Sequence, residues 1–171
     1  RCAALDPSAA VADWINRAAA AVKRTGDRKI VFAWPYSAFT WSGKDRAQVR
    51  WIERLSDDVR VLSNFDTGSP DPQTGAGVYF YDYNIKSVGP SDTFREQAAA
   101  LAKRGRKIYV KTESSTTPSV FFTAYAPVHF RWHQRFLEMA KIGAAGYVNQ
   151  WFFSGNRDTP PEEMQYHAVW E

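Results

Sequence analysis

A chain of 171 residues is long enough to bury one core, and its 44% hydrophobic and 23% charged residues exclude a disordered or fibrous protein. Seven Trp, eight Tyr and eleven Phe make 15% of the chain, a surplus found both in large aromatic cores and on surfaces that stack sugars or bases. The net charge of +4 comes from scattered Lys and Arg, which counts against a nucleic-acid partner, and the single Cys excludes an internal disulfide.

The elements read in chain order as follows. Asp6 suits a helix N-cap, Pro7 the first helical position, and Gly26 the stop. Between them Val11, Trp14, Ile15, Ala18 and Val22 recur at helical spacing and are expected to be the packed face. "KIVFAW", 29–34, reads as a strand, and 44–55 as a helix with Ala47, Trp51 and Leu55 on one face. "VRVLSNF", 59–65, is the second strand; a turn-rich "DTGSPDPQTGAG" then leads to "VYFYDY", 78–83, expected as the third. Thr93 with Glu96 makes a capping box before a helix that buries Phe94, Ala98, Leu101 and Ala102 and closes at Gly105.

"KIYVKTE", 107–113, is the fourth strand, with Ile108, Val110 and Thr112 on one face and Tyr109, Lys111 and Glu113 on the other. Pro127 opens a helix expected to bury Phe130, His133, Phe136, Leu137 and Ala140, and Gly143 stops it. "AGYVNQW", 145–151, is the fifth strand, and Thr159, Pro160 and Glu162 set up one more helix start.

Helices alternating with strands are the mark of parallel α/β architecture. The expectation is a TIM-type (β/α) barrel, incomplete because only its later strands are present. Residues 1–171 are expected to be a single barrel portion, its opening strands absent and its last helix truncated. Open strand edges attract a partner, so a homo-oligomer or missing chain is expected to close the barrel.

No glycine-rich nucleotide motif, nucleophile elbow or zinc pattern occurs, so no cofactor or metal is expected. His129 and His133 stand four apart without an acidic ligand and read as packing or surface residues. No apolar run approaches the ~18 residues of a membrane span, and no membrane partner is expected.

In parallel α/β folds function gathers at the carboxyl ends of strands. Those ends carry Trp34 and Tyr36; Asn64 and Asp66; Tyr81 and Asp82; Lys111 and Glu113; Gln150 and Trp151. Carboxylates and amides hydrogen-bond sugar hydroxyls, indole and phenol rings stack on pyranose faces, and two facing carboxyl groups are the minimum for glycoside hydrolysis. The expectation is therefore an O-glycoside hydrolase with a carbohydrate substrate. Glu113 or Asp82 would be its general acid and Asp66 its second carboxylate. Trp34, Tyr36, Tyr81 and Trp151 would form the sugar platform, with Asn64, Lys111 and Gln150 binding beside it. Such an enzyme would be secreted or periplasmic. The alternatives are a non-catalytic carbohydrate-binding barrel, or a basic aromatic surface that stacks single-stranded nucleic acid.

Each residue also has a plainer reading: Asp66 as a turn former, Asp82 paired with Lys86, Glu113 paired with Lys111, Trp34 and Trp151 as core. Trp14 and Trp51 are expected to be packing.

The runs "RCAALDPS", "VADWINRAAAAV" and "KIVFAWPYSAF", with the closing "GAAGYVNQW" and "PPEEMQYHAVWE", resemble bacterial proteins with a glycoside-hydrolase-like barrel related to family 20 hexosaminidases. The resemblance implies a (β/α)8 fold and a carbohydrate ligand. In that family an adjacent Asp-Glu pair ends the fourth strand, and no Asp-Glu or Glu-Asp dipeptide occurs here. Glu113 therefore inherits no role from the family by motif.

Overall fold

The computed structural model describes residues 6–26, 28–36, 45, 47–69, 87–112, 129–149 and 167. They form α1 (Pro7–Lys23), β1 (Val31–Ala33), α2 (Val49–Ile52), β2 (Val59–Asn64), α3 (Asp92–Ala102), β3 (Tyr109–Thr112), α4 (His129–Lys141) and β4 (Gly146–Asn149). The four strands make one parallel sheet in the order β1-β2-β3-β4, so the α/β class with parallel strands stands. Strand order follows chain order, and right-handed crossovers then place the intervening helices on one face.

The sheet corrects one expected neighbour. Leu62, Ser63 and Asn64 pair directly with Tyr109, Val110 and Lys111, so no strand intervenes between β2 and β3 there. Residues 78–83, expected as a strand, lie outside the described residues.

Local chemistry explains the element ends. The Asp6 carboxylate caps α1 by accepting from the Ser8 N–H at 3.1 Å, with Pro7 at the first position. α2 is a single turn rather than the long helix expected over 44–55. Gln48 enters it at φ 60, a left-handed conformation no helix interior accepts, and the Asp45 carboxylate caps the Val49 and Arg50 N–H groups at 3.0 and 3.1 Å. α3 is capped by Ser91, whose Oγ accepts from Phe94 N–H at 3.2 Å, in place of the expected Thr93. Gly89 has to be glycine: its φ is 72, and a Cβ there would stand 2.5 Å from the Phe65 ring.

The core lies between the sheet and its helices. Ala33, Val59, Val61, Phe65, Ile108 and Val110 meet Trp51, Leu55, Phe94, Leu101, Trp132 and Phe136. Phe65 and Phe94 pack edge to face at 5.0 Å. Two helices are rotated from expectation. α1 turns its small residues Ser8, Ala12 and Ala19 inward, which lets it approach α2 and β1 closely; of the expected face Val11 and Ile15 still pack against the core, while Ala18 and Val22 are exposed and Trp14 is 73% exposed. α4 buries Trp132, Arg135, Phe136 and Met139, while Phe130, His133, Leu137 and Ala140 face outward. No helix among the described residues is long and apolar enough to cross a membrane.

Candidate functional site

Alternation along β2 and β3 sorts the strand-end residues onto two faces. On the helix face, Ser63 Oγ donates to the buried Gln97 Oε1, whose amide Nε2 donates to the Ala47 carbonyl at 2.9 Å. Val110 and Phe65 join the core on that side. Asn64 and Lys111, register partners in the ladder, therefore point the other way.

There they meet Trp34, just past the end of β1. The Trp34 indole N–H donates to Asn64 Oδ1 at 2.8 Å, and Asn64 Nδ2 donates to Thr67 Oγ1 at 3.1 Å, which fixes the amide in one orientation. Lys111 Nζ lies 5.9 Å from the Trp34 ring centroid, within reach of a cation–π contact. Tyr36 tilts against Trp34 with ring centroids 4.8 Å apart. Asn64 is buried and Lys111 only 1% exposed, whereas Trp34 is half-buried and Tyr36 is 37% exposed. The two rings form the accessible surface, and the amide and ammonium hold the first of them from beneath. Farther down the same face, Phe32 and Tyr109 touch at 5.0 Å. Both pairs join side chains of β1 and β3 over the intervening β2, as a face that curves inward allows.

Asp66 belongs to a different group. Its Oδ2 lies 3.3 Å from Arg135 Nη2, and both side chains are nearly inaccessible. Arg135, at 0% exposure, also donates to the Ser87 carbonyl at 2.6 Å and to Thr112 Oγ1 at 3.3 Å. Its guanidinium lies 4.4 Å from the Trp132 ring centroid. One side chain of α4 thus ties together the ends of β2 and β3 and the approach to α3. The turn expected at Asp66 is present through the backbone, with Ser69 N–H donating to the Asp66 carbonyl at 3.0 Å.

Comparison with protein-family models, curated proteins and solved structures returns no match for this chain. Its chemistry has to be read from its own residues.

The structure brings together Trp34, Tyr36, Asn64 and Lys111, and sets Asp66 apart from them in an ion pair. Tyr81, Asp82, Glu113, Gln150 and Trp151 lie outside the described residues. Among the described residues no group of three or more His, Cys, Asp or Glu is placed to hold a metal ion. Arg135 and Gln97 escaped the sequence reading. An arginine or glutamine between apolar helix positions reads as a solvent face, and its only signal here was the turn of helix it shares with Trp132, Phe136 or Phe94.

Proposed function

We propose that this protein acts on carbohydrate as an O-glycoside hydrolase, its strands forming an arc of a (β/α) barrel similar to that of family 20 hexosaminidases. The observation that carries this reading is the Trp34 ring, held at the carboxyl end of the sheet by a hydrogen bond to Asn64 and backed by Lys111. An indole fixed in place and open on part of its surface supports stacking on a pyranose, because no rotamer freedom is lost on binding. Tyr36 extends the platform, and Tyr81, Gln150 and Trp151 supply the remaining contacts. Glu113 and Asp82 are the acid and its partner carboxylate. Asp66, engaged by Arg135, holds the strand end rather than water.

That ion pair also favours a second reading, carbohydrate binding without catalysis, because Asp66 is the described strand-end carboxylate and it is already committed. A panel of aryl-glycosides, with sugar binding followed by calorimetry, separates the two. Hydrolysis requires turnover that Glu113→Gln abolishes while binding persists. Binding alone gives affinity with no turnover. In either case Trp34→Ala is expected to weaken the sugar by about 1.5 kcal/mol. Absence of both turnover and binding across the panel overturns the carbohydrate reading.

A further inference from the structure

The opposite end of the sheet has a different chemistry. In a parallel α/β fold all strands begin, and all connecting helices end, at one rim. Basic residues scattered along the sequence are gathered there. Arg24, Arg28 and Lys29 lie between α1 and β1, Arg60 near the start of β2, and Lys103 and Lys107 between α3 and β3. All six are exposed, and none forms an ion pair with another of the described residues. Register brings the last groups to neighbouring positions: Leu62 pairs with Tyr109, and Arg60 and Lys107 each lie two residues before these partners.

Of the described acids at this rim Asp57 and Asp58 are engaged, while Glu53, exposed at the end of α2, forms no ion pair among the described residues. Asp57 lies 2.8 Å from Arg104 and 3.7 Å from Arg106, and Asp58 lies 3.7 Å from Lys23. Burial and the neighbouring Arg104 hold Arg106 below the usual arginine range, outweighing Asp57, with Arg60 adding to the effect. Even with Glu53, and with Asp27 of the sequence, counted against it, this rim holds more positive charge than the +4 of the whole chain, so the remainder is net acidic. Cations at helix C-termini complement the helix dipole, which accounts for Arg24 and Lys103. It does not account for Arg28, Lys29, Arg60 and Lys107, which lie beyond the helix ends.

Two aliphatic side chains stand among these charges. Ile30, next to Lys29, is 64% exposed, and Val22, next to Lys23, is exposed as well. Phosphodiester backbones offer aliphatic groups nothing, whereas a lipid interface takes both kinds: ammonium and guanidinium groups at the headgroups, aliphatic side chains at the acyl boundary. We propose that this rim docks peripherally on an anionic lipid bilayer, leaving the Trp34 end of the sheet facing away from the membrane. Surface association of this kind needs no spanning helix.

The test is co-sedimentation of the full chain with vesicles of phosphatidylcholine alone and of equal parts phosphatidylcholine and phosphatidylglycerol, with duplex DNA as a competing polyanion. Binding to the mixed vesicles and not to phosphatidylcholine, weakening as salt rises, is the expected result. Arg60→Glu with Lys107→Glu should lower partitioning more than about tenfold, with an unchanged melting temperature. Ile30→Ser should lower it further in high salt, where the apolar contribution remains. No preference for the anionic vesicles, or equal partitioning of the charge-reversed protein, overturns the proposal. Binding to duplex DNA without binding to vesicles also overturns it, in favour of a nucleic-acid surface.

Discussion

Removing Arg135 would leave the Asp66 carboxylate buried beside the ends of β2 and β3 with its described counter-charge gone. A buried charge stripped of its partner costs far more than the pair contributed, so Arg135→Met is expected to lose about 3–5 kcal/mol of unfolding free energy. Adding Asp66→Asn removes the stranded charge and should restore part of that loss; the urea midpoints of the wild type, the two single variants and the double variant measure it. Asp6 presents the half-buried counterpart. Desolvation pushes its carboxyl up, but the Ser8 N–H, Arg50 and Arg54 outweigh it, and the carboxyl sits below its usual 3.8. A depressed folded pKa means that this stabilisation is complete above the unfolded value and is lost as pH falls through the folded one. Melting temperature should therefore drop as pH falls below 3.8 in part through Asp6, and Asp6→Asn should flatten that part of the profile.

At the scale of elements, punctuation was legible and orientation was not. Asp6-Pro7 marked the start of α1, and Gly105 and Gly143 marked helix stops, because caps depend on local backbone needs that one or two residues reveal. The left-handed Gln48 that cuts α2 to one turn has no such signal, since glutamine has no special preference for that conformation. The faces of α1 and α4 were read only in part, Val11, Ile15 and Phe136 being placed correctly, for a different reason. Both carry apolar residues around much of their circumference, and periodicity cannot choose between Trp132-Phe136-Met139 and Phe130-Leu137 when the buried stripe includes an arginine. Substitution distinguishes the stripes directly. Phe136→Ala should cost about 3–5 kcal/mol in urea unfolding, while Leu137→Ala, at a site 48% exposed, should cost under about 1 kcal/mol. Comparable losses at the two positions would contradict the observed face.

Across the whole molecule, chain order is sheet order, and this made the class of fold readable from alternation alone. The grouping of Trp34, Asn64 and Lys111 was readable too: all three are strand-end residues, and a parallel sheet brings such residues to one rim whatever their separation in sequence. Asp66 shares that rim, yet its partner comes from a helix 69 residues away, a pairing no local pattern encodes. The same separation bears on the order of events in folding. Adjacent strands with their connecting helices are comparatively local units and can pair early, whereas the Arg135 clamp cannot form until α4 has docked across the ends of β2 and β3. Contacts made after the rate-limiting barrier govern how fast a protein comes apart, not how fast it assembles. Stopped-flow chevrons of Arg135→Met are accordingly expected to show a faster unfolding limb and a nearly unchanged refolding limb. The buried arginine would then act as a latch, setting how long the native state persists once it has formed.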